Sequence, residues 1–237
     1  MPLKRLSIRI DGELISAPEG QTILQAAKAS GKFIPTLCDM EGLSPVGACR
    51  LCIVEVQGID RLLPACTTPI QDGMSVTTNS PKLTQYRCIS VELLLVERNH
   101  FCAVCVSNGH CELQAMATAL GIHTVHLAYN FPKLPVDMSH PRFVLDHNRC
   151  ILCTRCVRVC AELEGAHVWD MSSRSIQAKI VSDLNQEWGK SVGCTSCGKC
   201  VQACPTGALA EKGMAIEEMV KHSDTLSSLL RRRGVQP

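Results

Sequence analysis

The stretch CTSCGKCVQACP, residues 194–205, decides how this chain is read. Its spacing, Cys-x2-Cys-x2-Cys-x3-Cys, occurs a second time in CILCTRCVRVC at 150–160. Three cysteines two residues apart can wrap one corner of a four-iron cubane, and the fourth, three residues on at the start of a helix, turns away from it. The fourth cysteine of each run is therefore expected to ligate the other cluster. The predicted sets are Cys150, Cys153 and Cys156 with Cys204, and Cys194, Cys197 and Cys200 with Cys160. Zinc also uses Cys-x2-Cys pairs, but a zinc site has little need of four evenly spaced cysteines twice over.

Outward from this repeat, the other cysteines are also grouped; the chain holds sixteen in 237 residues. Cys38, Cys49, Cys52 and Cys66 form one set. Their spacing departs from the plant-type Cys-x4-Cys-x2-Cys pattern. The close pair preceded by Gly47 still suits a [2Fe–2S] loop, because glycine lets backbone N–H groups approach the sulfurs; a zinc knuckle is the alternative. Cys102, Cys105 and Cys111 form another set, one ligand short of four. The candidates for the fourth are His100, His110 and Cys88. Cys88 falls mid-helix among apolar residues, where a cysteine acts as a small buried hydrophobe. His110 abuts Cys111 and reaches the same metal face with difficulty, so His100 is preferred. With Cys88 set aside and one histidine added, the ligands number sixteen, enough for one [2Fe–2S] and three [4Fe–4S] clusters.

Residues 4–16 read as a hairpin about Asp11-Gly12, and the stretch from Gly20 to Gly31 as a short helix capped by Thr22. Strands are expected at 52–56, 61–63 and 74–78. Ser80-Pro81 opens a helix to about Arg98, with apolar positions at Leu83, Tyr86, Ile89, Leu93 and Val96. Residues 128–147 read as an irregular linker, and 213–233 as an amphipathic segment ending in Arg231, Arg232 and Arg233. The expected fold class is α+β. A β-grasp [2Fe–2S] ferredoxin module occupies 1–79 and a small helical His/Cys cluster module 80–127. A two-[4Fe–4S] ferredoxin-like module follows over 128–212, then a docking helix or tail over 213–237.

Aromatic residues make up only 3 % of the chain against 46 % hydrophobic residues overall, so small apolar side chains and cysteine must carry the burial. Modules of this size are usually made secure by their metals. The net charge of +2 points to neither nucleic acid nor an anionic membrane. Arg50, Arg155, Arg158, Lys190 and Lys199 lie within or beside cysteine groups, where they either offset thiolate charge or form ordinary surface charge. The N-terminus lacks the apolar run of a signal peptide, and no stretch is long and apolar enough for a membrane span. A cytoplasmic protein is expected, in which grouped cysteines mean metal more often than disulfides. No phosphate-binding glycine loop and no nucleophile–base arrangement is visible. His123, His126, His140, His147, His167 and His222 are scattered and read as structural. The expectation is a non-catalytic electron carrier.

At this point the stretches ERNHFCAVCVSNGHCELQ (97–114) and DHNRCILCTRCVRVC (146–160) become informative together. They resemble the small electron-transfer subunit of the diaphorase part of bidirectional, NAD(P)-linked nickel–iron hydrogenases. Over about residues 4–212 the chain is also similar to the N-terminal iron–sulfur region of the large subunit of respiratory complex I. Accessory domains of iron-only hydrogenases and of NAD-dependent formate dehydrogenases are similar as well. The resemblance implies [2Fe–2S] ligation by Cys38, Cys49, Cys52 and Cys66, a histidine-containing [4Fe–4S] site at Cys102, Cys105 and Cys111, and a two-cubane module. In the wider superfamily three residues separate that histidine from the first cysteine, whereas only Phe101 does so here. The implied partners are a flavin- and NAD(P)-binding diaphorase subunit and the small and large subunits of a nickel–iron hydrogenase. The chain stops at Pro237 without a catalytic domain, which suggests a separate small subunit. A free-standing multi-cluster ferredoxin and a zinc-bound scaffold are the rival expectations.

Overall fold

Alternating apolar residues in RLSIRI bury Leu6, Ile8 and Ile10 on one face, and β1 (Arg5–Ile10) turns through Asp11 and Gly12 into β2 (Glu13–Pro18). Both turn residues have positive φ, 51° and 83°, the geometry of a two-residue hairpin turn that matches strand twist. The computed structural model describes residues 4–232. Asp11 has a second task, accepting from the backbone N–H of Thr78 at 2.7 Å and from its hydroxyl at 2.6 Å. Helix α1 (Ile23–Ala29) begins at a capping box in which Thr22 and Gln25 satisfy each other's backbone N–H groups. It buries Ile23, Leu24, Ala26 and Ala27.

Strands β3 (Ile53–Val56), β4 (Ile59–Pro64) and β5 (Ser75–Thr77) complete a five-stranded sheet ordered β2-β1-β5-β3-β4. The β1–β5 pair is parallel and β3 is antiparallel to both its neighbours. The core joins Ile8, Ile10, Leu24, Val54, Ala65 and Val76 with Cys52 and Cys66, so two candidate ligands are part of the apolar interior itself.

Helix α2 (Pro81–Val96) follows. The apolar face expected at Tyr86, Ile89 and Leu93 is solvent-exposed; the buried positions are Leu83, Arg87, Val91 and Val96. The physical reason is Arg87. Its guanidinium donates to the carbonyls of Leu51 (3.1 Å), Ile53 (2.8 Å) and Thr78 (2.8 Å), so a charged residue takes a position that periodicity assigns to solvent. The chain divides within α2 into two units, one formed by residues through Asp39 with Pro45–Ser90, the other by Met40–Ser44 with Val91 onward.

In the second unit α3 (Glu112–Ala119) follows a 3-10 turn at Cys102–Val104. The segment expected as an irregular linker contains β6 (Val136–Asp137) and β7 (Phe143–Asp146), which pair antiparallel. Prolines around β6 mask so short a strand. Beyond them come α4 (Arg155–Arg158), continued by a π-helical turn over Val159–Glu164, and the hairpin of β8 (Trp169–Ser172) with β9 (Lys179–Ser182). Helix α5 (Lys199–Ala203) leads to β10 (Leu209–Glu211), which pairs with β7. Each cysteine run therefore follows a strand and extends through a short helix, and β7–α4–β8 is matched by β9–α5–β10 with outer pairing to outer and inner to inner. The C-terminal helix α6 covers only Ser223–Arg232. The segment before it is irregular and tied down by Met219, which is buried and donates its N–H to the Val106 carbonyl at 2.9 Å. Arg231 and Arg232 end this helix, and the third expected basic residue, Arg233, lies outside the described residues. No described helix is long and apolar enough to cross a membrane.

Candidate metal centres

In the first unit Cys38, Cys49, Cys52 and Cys66 are all buried. Cys52 Sγ lies 3.3 Å from Cys66 Sγ, and Cys38 is hydrogen-bonded to both Cys49 and Cys66. The thiols donating to it hold Cys38 well below the ordinary thiol range, whereas donation to Cys38, with burial, pushes Cys49 and Cys66 up. Backbone N–H groups of Ala48 and Cys49 point at Cys38, and those of Leu37 and Leu51 at Cys49. Left-handed backbone at Gly47 and Arg50, with φ of 66° and 56°, curls the loop so that successive amides face the sulfurs, the arrangement that receives an anionic group.

In the second unit His100, Cys102, Cys105 and Cys111 line one cavity of about 250 Å³, together with Phe101, Gln114, Arg149, Thr206 and Gly207. Neither His110 nor Cys88 lines it. The His100 ring is hydrogen-bonded to the Leu94 backbone, while its buried Nε2 has no partner. Nδ1 is therefore the nitrogen donating to the Leu94 carbonyl. Burial pulls the ring's pKa down to about 4, so at neutral pH the imidazole keeps a bare lone pair on Nε2, the form that binds metal. An orphaned buried acceptor among three cysteines fits a metal cluster. Gly207 gives the site its room: a Cβ there would stand 2.4 Å from Cys105 Sγ.

Two further cavities are each lined by cysteines from both runs. Cys150, Cys153, Cys156 and Cys204 line one of about 350 Å³. Cys160, Cys194, Cys197 and Cys200 line another of about 330 Å³. Each loop uses the same backbone device. Leu152 and Thr154 flank Cys153 with φ of 52° and 58°, and Ser196 and Gly198 flank Cys197 with φ of 54° and 73°. Burial pushes the thiols of Cys150, Cys153 and Cys200 up to about 12, so without metal they retain their protons and metal loading would displace them. Among the described residues no three His, Cys, Asp or Glu side chains converge tightly enough for a single metal ion.

The cations divide. Arg155 is buried and pairs with Glu112 through two bonds of 2.6 and 2.8 Å, linking the Cys150 run to the helix after Cys111. Arg158, also buried, donates to the carbonyls of Ser44 (2.7 Å) and Cys153 (3.2 Å). Lys199 pairs with Glu164. Arg50 and Lys190 are exposed. Two histidines read as structural turn out to be buried beside the cysteine runs: His147 next to Cys150, and His140 with Nε2 3.9 Å from Cys194 Sγ. Neither has a sequence signature, and only the fold brings His140 near sulfur.

Comparison with known proteins finds iron–sulfur domains along the chain. Residues 4–81 match a [2Fe–2S] iron–sulfur cluster binding domain. Residues 87–126 match the iron–sulfur binding region of NADH–ubiquinone oxidoreductase G, and 141–210 the ferredoxin-like domain of NADH–quinone oxidoreductase subunit 3. The chain is 40 % identical over 207 residues to the NADPH–Fe(3+) oxidoreductase subunit alpha of Geobacter sulfurreducens, covering 87 % of this chain and 24 % of that protein. It thus spans about a quarter of the length of the first curated relatives it matches. The gamma subunit of the NAD-reducing hydrogenase HoxS of Cupriavidus necator is 31 % identical over 232 residues, 98 % of this chain and 97 % of that one. The chain belongs to the family of this hydrogenase subunit. A chain in the crystal structure of an NAD+-reducing [NiFe]-hydrogenase in the H2-reduced state superposes with a TM-score of 0.83 at 36 % identity, covering 89 % of this chain and 88 % of that one. The protein is accordingly an iron–sulfur electron-transfer subunit with [2Fe–2S] and [4Fe–4S] binding domains, homologous to subunits of NAD-reducing hydrogenases and to the G subunit of NADH–ubiquinone oxidoreductase.

Proposed function

We propose that this subunit carries electrons between a flavin- and NAD(P)-binding diaphorase subunit and a nickel–iron hydrogenase module in the cytoplasm, through one [2Fe–2S] and three [4Fe–4S] clusters. Cys38, Cys49, Cys52 and Cys66 hold the [2Fe–2S] cluster within a β-grasp ferredoxin module spanning 1–79. His100, Cys102, Cys105 and Cys111 hold one [4Fe–4S] cluster in a helical module spanning 80–127. Two more are held, one by Cys150, Cys153, Cys156 and Cys204 and one by Cys160, Cys194, Cys197 and Cys200, in a ferredoxin-like module spanning 128–212. The C-terminal segment 213–237 docks on this assembly or on a partner.

The observation that carries this reading is the crossed lining of two cavities, in which the fourth cysteine of each run joins the other run's triplet. Iron–sulfur clusters supply reversible one-electron transfer at potentials set by their surroundings. The chain's own part is to bury the sulfurs, aim backbone N–H groups at them and keep His100 neutral with Nε2 free. Buried Arg155 and Arg158 hold the loops in place.

The test is anaerobic purification of the native complex with iron and acid-labile sulfide counted, followed by the Cys153→Ala variant. Loss of one four-iron signal together with H2-dependent NAD(P) reduction is expected. Undiminished reduction in a complex that demonstrably lacks that cluster would remove the obligatory relay role. A monomer that exchanges electrons with unrelated reductases would instead favour a free-standing ferredoxin.

A further inference from the structure

The two four-cysteine cavities of the repeat differ in what donates to their sulfurs. Trp188 Nε1 donates to Cys194 Sγ at 3.3 Å, and the Trp169 side chain is hydrogen-bonded to Cys200. Its indole N–H is the group that can donate. The backbone N–H of Val168 donates to Cys160 Sγ at 3.4 Å. The chain contains two tryptophans in all, and both serve the same cavity. At the other cavity the donors to Cys150 and Cys153 are the backbone of Leu152 and Arg155. Thr206 Oγ1 stands 3.7 Å from Cys204 Sγ but gives its proton to the Arg149 carbonyl at 2.7 Å.

The indoles are held firmly. Trp188 is 1 % exposed. Its ring stacks on Phe143 at 5.5 Å, tilts against His140 at 4.6 Å and meets Trp169 edge-on at 4.7 Å. Its backbone N–H donates to Asp137 at 2.7 Å. The next residue, Gly189, packs so closely that a Cβ would lie 2.4 Å from the Ser139 carbonyl oxygen. His140 adds to the same wall. Its Nδ1 accepts from the N–H groups of Arg142 and Phe143 at 3.1 and 3.2 Å, so the neutral ring carries its proton on Nε2, between Ser196 Oγ and Cys194 Sγ.

An N–H dipole aimed at a cluster thiolate stabilises added negative charge, and away from water that effect is weakly screened. We propose that Trp188 and Trp169 raise the reduction potential of the cluster held by Cys160, Cys194, Cys197 and Cys200, so that one electron rests there more readily than it would without the two indoles. This rests on the cluster reading given above.

The experiment is an EPR-monitored redox titration of the complete, anaerobically purified complex carrying Trp188→Phe, Trp169→Phe or both. Phenylalanine keeps a ring and removes the N–H. At fixed poise the reduced-to-oxidised ratio of one four-iron signal should fall about three- to tenfold, tenfold being about 59 mV for one electron. That signal should be the one lost in Cys194→Ala and kept in Cys153→Ala. Should the Phe variants load poorly, replacing both tryptophans with benzothienylalanine, which has sulfur in place of the indole N–H, makes the same test at nearly unchanged volume. No shift in a loaded protein overturns the inference, as does an equal shift of every cluster or a shift confined to the signal lost with Cys153→Ala. Absence of any four-iron signal from the unaltered complex overturns the cluster reading itself, and this inference with it.

Discussion

The Cys150 and Cys194 runs are the same in spacing and nearly the same in backbone, yet their surroundings have little in common. Around the first, buried guanidiniums from Arg155 and Arg158 knit the loop to Glu112 and to the carbonyls of Ser44 and Cys153. Around the second, Phe143, His140, Trp169 and Trp188 form a continuous set of ring contacts. Both of the protein's tryptophans lie in this one set. Cysteine spacing thus groups the sulfurs, and the side chains packed around each group set what those sulfurs experience.

The largest effect that would break or secure this comparison comes from Cys204→Ala. If the runs are truly crossed, the variant loses the cluster at Cys150, Cys153 and Cys156, although Cys204 belongs to the other run. Iron content should fall by one cluster, and EPR should show the Cys194 signal retained; loss of the Cys194 signal instead would mean that each run fills its own site.

A smaller effect separates the two loops at matching positions. Thr154 and Gly198 occupy the same place in their runs, both with positive φ. Gly198 also faces Phe143, whose Cζ would stand 3.1 Å from an added Cβ. Gly198→Thr should cost about 1–3 kcal/mol through backbone strain and overpacking. Thr154→Gly should change stability by less than about 1 kcal/mol, since relieved strain offsets both added chain entropy and the lost contact of Thr154 Oγ1 with Arg158. Denaturant unfolding of the loaded proteins measures both, and equal costs would remove the asymmetry.

The smallest effect is on acid stability. His147, beside the Cys150 run, is held below its ordinary value of 6.5 by burial, with Nδ1 unpartnered. The unfolded chain takes up a proton as pH falls through 6.5 while the folded chain resists, so this contribution is complete above 6.5 and is lost as pH falls toward the lowered folded value. Unfolding free energies measured between about pH 7.5 and 5.5 should decline, and His147→Gln should flatten the decline. An unchanged slope in the variant would show that His147 does not contribute.

Much of the architecture was legible in local sequence. The Asp11-Gly12 turn, the Thr22 cap and the strands of the first sheet follow from backbone preferences within a few residues. Where local signals misled, long-range partners had prevailed. Arg87 enters the interior because three carbonyls await it, and β6 and β7 form because β10 returns beside them. The place of His100 in the loop points to it, and the structure adds its buried, partnerless Nε2. Gly207 carries no local signal because the sulfur it makes room for, that of Cys105, lies far away in the chain.

By itself, then, the sequence determined how the cysteines are grouped, since spacing along a short loop keeps their sulfurs together. Tertiary structure alone decided which side chains donate to those sulfurs and which of the neighbouring cations are buried. His140 reaches Cys194 only after β7 and the segment following β9 have packed together, and Trp188, six residues from Cys194, is held in place by Phe143 and Asp137 from across that packing, which no local rule relates to it.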